Sequence, residues 1–328
     1  MNTRILGKTG FKISEIGLGT WQLGGRWGDD YNEDSAQEIL EASTENKINF
    51  IDTADVYNDG KSEKSIGTFL KRQKNRIYVA SKCGRQISPH INEGYTPKAL
   101  TSYVEDSLKR LNLETLDLIQ LHCPPQQVYY RPEIFETFDR LKDQGKILNL
   151  GVSVEKIEEA SKALEYPNVA TVQIIFNMFR MRPLDWFFDL AAKRNVGIIV
   201  RVPLASGLLS GKFNRHSSFS AGDHRNFNRK GQAFDKGETF SGVPYELGLD
   251  AVDKLKSLFG DTVPLAQIAL RWILMHPQVS CVIPGASTQK QMEDNAAASS
   301  LPPLTEKQML GIRGIYDDMI KKEVHQLW

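Results

Sequence analysis

The chain has 328 residues, and 41 Lys and Arg against 40 Asp and Glu leave a net charge of +1. No broad field draws such a chain to nucleic acid or to an anionic membrane, and the clusters 71–74 and 225–230 read as solvated surface. A hydrophobic share of 41% and a charged share of 25% are ordinary for a globular protein. Cys83, Cys123 and Cys281 show no paired spacing, which argues against a disulfide framework and a CxxC metal site and for a reducing compartment. The opening MNTRILGKTG lacks the apolar core of a secretory leader. No apolar run nears the ~18 residues that cross a bilayer. A cytoplasmic protein is expected, with neither nucleic acid nor membrane as partner.

Residues 4–20 read as a small hairpin, two short apolar runs flanking Gly-Lys-Thr-Gly, followed by a strand that ends at EIGLGT. Beyond it, strand and helix patterns alternate. A helix over 35–47 places Ala36, Ile39, Leu40 and Ala42 at helical spacing, and INFID (48–52) is a strand. Then come helix 62–73, strand 77–82, helix 97–112 with Thr96 and Pro97 as N-cap and first residue, strand 117–122 and helix 131–145. Strand 147–153, helix 154–165, strand 169–176, helix 185–195 and strand 197–204 follow. Helix 263–277, strand 279–285, helix 287–299 and a last helix from Leu304–Lys307 through Met319 complete the pattern. Several strands are continuous apolar runs, as when both faces are buried. Eight βα units predict an α/β fold: a (β/α)8 TIM barrel with an N-terminal β-hairpin, one domain spanning 1–328. The long loop after the seventh strand, residues 206–248, is rich in Gly, Ser, Asn and charge, and is expected to act as a lid.

Barrel active sites lie at the carboxyl ends of the strands. Strand two ends in Asp52 with Tyr57 just beyond, strand three in Lys82, strand four in His122, strand five in Ser153, and strand six carries Gln173 and Asn177. Singly, an Asp there forms a turn or cap, a Lys pairs with an acid, and a His is structural. Together they suit protonation of an oxygen on which negative charge develops. A phenol near pKa 10 is a poor acid at neutral pH. A nearby ammonium favours the phenolate, a carboxylate holds the ammonium, and an imidazole orients a carbonyl oxygen. Carbonyl reduction by hydride needs that set.

Asp52, Tyr57, Lys82 and His122, in FIDTADVYNDGKSE, SK and LDLIQLH, resemble the catalytic tetrad of the aldo-keto reductase superfamily. GLGTWQLGG, GKILNLGVS and IPGASTQKQMEDN occur in family order, and LHCPP, GLLSGKF and IPGA resemble its bacterial general-stress and inositol-linked branch. The resemblance implies an NAD(P)H-dependent carbonyl reductase in which Tyr57 is the general acid, Lys82 and Asp52 tune it, and His122 positions the carbonyl. It implies a nicotinamide dinucleotide extended over the barrel mouth, NADPH by default with NADH possible, and no metal. Gly19, Thr20, Trp21 and Asp52 flank the cofactor, while Ser153 and Gln173 match residues that bond the carboxamide. Arg201 stands where an aromatic ring commonly stacks on nicotinamide, and its charge would favour the reduced cofactor. Val202 and Pro203 are expected at the cofactor as well, and Leu204, Ser206, Gly207, Leu209 and Lys212 match the loop over the pyrophosphate. Gly285 and Gln291 replace the usual cations at the 2′-phosphate, with the helix start at Ser287 offering free amides. Asp294 and Asn295 match adenine contacts. The substrate wall is expected from Trp21, Tyr57, Arg85 and His122, with Trp27 and residues 123–126 near. The tail EVHQLW either folds over the mouth or stands in solvent. The partner is a small-molecule carbonyl (aldehyde, ketone or sugar), and the sequence carries no signal of oligomeric state. The alternative is a cofactor-binding regulatory subunit of the potassium-channel β-subunit type.

Overall fold

The computed structural model describes all 328 residues. Strands β1 (Thr3–Ile5) and β2 (Lys12–Ser14) pair antiparallel, Thr3 opposite Ser14. They are followed by β3 (Leu18–Gly19), α1 (Glu33–Glu45), β4 (Phe50–Asp52), α2 (Lys61–Leu70), β5 (Tyr78–Cys83) and α3 (Pro97–Leu111). Next come β6 (Leu116–His122), α4 (Pro132–Asp143), β7 (Ile147–Ser153), α5 (Ile157–Ala163), β8 (Val169–Ile175), α6 (Phe187–Lys193) and β9 (Gly197–Arg201). After a long connection holding the short α7 (His224–Phe227) the chain makes α8 (Tyr245–Phe259), α9 (Leu265–Leu274), β10 (Val279–Val282) and α10 (Gln289–Ala297). Helix α11 (Glu306–Ile315), a π-turn over Tyr316–Ile320 and α12 (Lys321–Val324) end it.

Strands β3 to β10 form one parallel eight-stranded sheet in sequence order. It closes on itself: Ile16 bridges Val282 and Gly19 bridges Gly285, with Gly17 N donating to Val282 O at 2.8 Å and Gly19 N to Pro284 O at 3.1 Å. A Cβ on Gly19 would lie 2.7 Å from Ile283 O, so the seam needs a glycine there. The (β/α)8 barrel with its N-terminal hairpin is therefore as expected. The hairpin plugs one end, where Leu6 and Ile13 pack with the inward-facing Phe50, Ala80, Leu118, Ile199 and Cys281.

Besides the single turn α7, one long helix escaped the sequence reading. Helix α8 begins at Tyr245, inside the segment expected to be irregular to 248. Leu249, Val252 and Leu255 give it a buried face, but Gly248 reads as a helix breaker. In the fold Gly248 is where the Leu208 side chain packs, a Cβ there coming within 2.8 Å of it.

Candidate active site

Parallel register sets Lys82 beside Gln120, Gln120 beside Gly151, and His122 beside Ser153. Asp52, at the tip of β4, holds position through its carbonyl, which accepts from Thr20 N at 3.0 Å and Thr20 Oγ1 at 2.9 Å. Its carboxylate is 2% exposed. One oxygen accepts from Lys82 Nζ, and the other from Gln173 Nε2 at 2.7 Å and Gln120 Nε2 at 3.1 Å. Lys82 Nζ also donates to Thr53 O at 2.8 Å and to the Tyr57 hydroxyl at 3.2 Å. Tyr57 is half-buried, and the backbone turns sharply after it: Asn58, Asp59 and Gly60 are all left-handed (φ 49°, 53° and 79°). Asn, Asp and Gly are the residues that tolerate such φ.

The charges follow from this packing. Burial works against the Lys82 ammonium, but Asp52 and Tyr57 outweigh it and hold it above the ordinary lysine value. Desolvation pushes the Tyr57 phenol up while Lys82 pulls it down, and the net shift is upward. Proximity of an ammonium alone would have lowered it, and burial reverses that sign. Burial, then Arg85 and Lys82, depress His122 well below its ordinary value, so the imidazole is neutral at pH 7. It stands edge-on to Tyr57, ring centres 6.1 Å apart, and its buried Nδ1 has no protein partner. Asp55, 1% exposed and without a bond to either carboxylate oxygen, is pushed up to about 7 by burial and by Glu63.

These groups open onto a cavity of about 540 Å³ that crosses the barrel mouth. Gly19, Thr20, Trp21, Asp52, Tyr57, His122 and Gln173 line one end, and Ser287, Gln291, Asp294 and Asn295 the other. Arg201, Val202, Pro203, Leu204, Ser206, Gly207, Lys212 and Gly285 lie between or beside them. The expected Ser153, Leu209 and Arg85 are not in the wall. Ser153 and Leu209 are buried behind it, Ser153 Oγ lying 3.6 Å from Cys123 Sγ. Arg85 stands back between Glu155 (3.7 Å) and Glu238 (3.6 Å) and faces the Phe234 ring. Residues 123–126 are likewise outside the wall, whereas Trp27 is in it, 5.2 Å from Trp21. The Ser287 amide is not free: it donates to Gln291 Oε1 at 2.9 Å, and the helix starts two residues later with Thr288 as N-cap.

Arg201 does not present a bare charge. Its guanidinium donates to Val154 O and to Glu155 Oε2, each at 2.9 Å, and lies 3.6 Å from Glu238 Oε1. Burial and then Glu238 push the Glu155 carboxyl up, whereas Arg201 and Arg85 hold Glu238 below its ordinary value against the pull of burial. Cys123, Glu155 and Glu238 bring possible metal-donor atoms within 4.8 Å of one another, but two guanidiniums already supply their positive charge. Gln120, Glu155 and Glu238 were not singled out from sequence. Gln120 lies two residues before His122 on the same strand, so the alternation of faces was a usable signal. Glu238, in the long loop, had none.

A family model described as "Aldo/keto reductase family" matches residues 15–317. The chain belongs to the aldo/keto reductase family. It is 31% identical over 293 residues to the aldo-keto reductase YhdN of Bacillus subtilis (strain 168), covering 87% of this chain and 85% of that one. It is 27% identical over 322 residues to a probable voltage-gated potassium channel subunit beta of Arabidopsis thaliana, with 93% of each covered. Among solved structures it is similar to the glycerol dehydrogenase AKR11B4 from Gluconobacter oxydans, with a TM-score of 0.78, 28% identity, and 99% of this chain and 96% of that one covered. The family is one of oxidoreductases that act on carbonyls with a nicotinamide dinucleotide, and at that level the assignment carries to this aldo/keto reductase. No helix is long and apolar enough to cross a membrane.

Proposed function

We propose that this aldo/keto reductase reduces a small aldehyde, ketone or sugar to the alcohol, with Tyr57 as general acid. The observation that carries the reading is the bonded series Asp52–Lys82–Tyr57, which ends in a phenol beside a neutral imidazole at the floor of the cavity. The phenol keeps its proton at neutral pH, so it is an acid ready to donate. Lys82 stabilises the phenolate left behind, and Asp52 fixes Lys82 while Gln120 and Gln173 fix Asp52. Neutral His122 offers one N–H to the same carbonyl oxygen and sets its orientation.

The residues present fit a nicotinamide dinucleotide. The cavity is long, and Lys212 on its wall is exposed and unpaired, available to a phosphate. Gly207, at φ 96°, lets the backbone approach closely. Bound there, the dinucleotide supplies the hydride. NADPH is the proposed cofactor, with NADH also accepted, because the far end lacks a free cation. Lys290 is held by Asp294, and Gln291 by Ser287.

The test follows loss of the reduced cofactor's absorbance, with NADPH and NADH, against aldehydes, ketones and sugars. The glycerol dehydrogenase relative supports including glyceraldehyde. Tyr57→Phe should abolish turnover while leaving cofactor affinity within about threefold, because it removes only the proton donor. Turnover unaffected by Tyr57→Phe would overturn the mechanism. The potassium-channel relative favours a second reading, a cofactor-binding regulatory subunit. Tight cofactor binding with no turnover of any carbonyl would support that one instead.

A further inference from the structure

We propose that Trp328, the last residue of the chain, is a positioning residue that straps the long loop onto the substrate end of the cavity; the inference rests on the reductase reading above.

Beyond α7 the long loop contributes a single side chain to the cavity wall, Glu238. From the barrel side this segment is tied by Ser206, whose hydroxyl donates to Glu238 O at 3.0 Å and accepts from Phe240 N at 3.1 Å. Asn177 Nδ2 donates to Ser241 Oγ at 2.7 Å. From the outer side it is closed by the tail. The Trp328 indole is 5% exposed, and its Nε1 donates to Asp235 Oδ1 at 2.8 Å. The same oxygen accepts from Gly237 N at 2.7 Å, so one carboxylate joins the indole to the turn that presents Glu238.

The loop is shaped to receive the ring. A Cβ on Gly237 would lie 2.9 Å from the indole, and one on Gly242 2.4 Å from it. The two glycines bracket Glu238, and a side chain at Gly242 would force the indole to shift, as one at Gly237 would force the Arg180 guanidinium or the indole. On the ring's other contact the buried Arg180 guanidinium stands 4.1 Å from its centre. Arg180 Nη2 in turn donates to Glu155 O at 3.0 Å. Trp328 therefore reaches, through Arg180 on one side and Asp235 on the other, the backbone at Glu155 and beside Glu238, the two residues whose carboxylates hold Arg201 and Arg85. The tail itself is anchored independently: His325 bonds Asp185 Oδ2 at 2.7 Å and the Tyr316 hydroxyl at 2.8 Å. Removal of the final residue leaves those anchors in place and takes away only the strap.

The experiment compares the wild-type protein with a chain ending at Leu327 and with Trp328→Phe, each saturated with NADPH. Hydrogen exchange is read over 234–243, and KM and kcat are measured with glyceraldehyde as probe. Loss of Trp328 should speed exchange in that segment and raise KM on the order of fivefold to tenfold, the equilibrium weight of about one buried hydrogen bond. The turnover number should stay within about twofold, since the Asp52–Lys82–Tyr57 series is untouched. Trp328→Phe keeps a ring under Arg180 and loses only the bond to Asp235, so it should fall between. Unchanged exchange in the chain ending at Leu327 would overturn the proposal, and so would faster exchange with an unchanged KM. A purely structural role would lower kcat and melting temperature together and would also count against it. If the wild-type protein turns over no carbonyl, the reductase reading fails, and the exchange data alone still decide the strap.

Discussion

Lys82→Met isolates the electrostatic core of the proposed mechanism. The ammonium stands 3.2 Å from the Tyr57 oxygen, and at an effective dielectric of about 20 two unit charges at that distance interact by about 5 kcal/mol. If about half a charge has developed on the phenol oxygen in the transition state, the loss is about 2.5 kcal/mol, or roughly a hundredfold in kcat. The same substitution strands the Asp52 carboxylate with only the Gln120 and Gln173 amides. Breaking a buried ion pair on one side costs about 3–5 kcal/mol. Lys82→Met combined with Asp52→Asn removes the stranded charge, so the double variant should melt above the single one while turning over no faster. The pH dependence has a definite sign. The folded-state Lys82 value lies above the ordinary 10.5, so its contribution is whole below that value and is lost as pH rises through the folded one. The alkaline fall in wild-type stability should therefore be shallower in Lys82→Met. The measurements are steady-state reduction rates and thermal melts from neutral to alkaline pH. A Lys82→Met enzyme with more than a third of wild-type kcat, or a double variant no more stable than the single, would refute the reasoning.

Asp55 makes a pH prediction of the same sign in a lower window. Its folded value near 7 lies above the ordinary 3.8, so the folded state holds the proton more tightly, and stability is lost as pH rises between the two. Wild type should lose up to about 4 kcal/mol between about pH 4 and pH 8 that Asp55→Asn does not, and parallel melting curves would contradict this. Gly151→Ala would set a Cβ 2.1 Å from Thr171 Oγ1 and 3.2 Å from the Gln120 side chain, so it should cost about 1–3 kcal/mol and disturb Gln120. Thr171→Ala in the same chain, which removes an unpartnered hydroxyl, should restore most of the loss in urea melts. Lys212→Met should weaken cofactor binding about threefold to tenfold at low salt, a difference that shrinks as salt is added. Fluorescence titration at two ionic strengths checks it, and equal effects at both would argue against a phosphate contact.

Much of the barrel was legible because its signals are local. The apolar runs 117–122 and 169–176 and the Thr96–Pro97 helix start appear as β6, β8 and α3. Asp52, Lys82 and His122 were visible for the same reason: each polar residue closes an apolar run, and parallel pairing must bring such ends together. Helix α8 was hidden by Gly248, whose missing side chain is accounted for only by Leu208 packing against it. Arg85 looked like a wall residue because it follows β5 closely, but two carboxylates draw it back from the cavity.

By itself, then, the sequence determined the order of strands and helices, the closed parallel sheet they imply, and which reactive groups stand at its mouth. These depend on periodicity and on neighbours a few residues apart. The tertiary structure alone decided the electrical state of those groups: burial raises Tyr57 where a nearby ammonium by itself would lower it, and it silences the charge on His122. It also decided that Glu238 and Trp328, 90 positions apart, serve one loop. Burial and long-range packing are set by how distant segments meet, and no window along the chain contains that information.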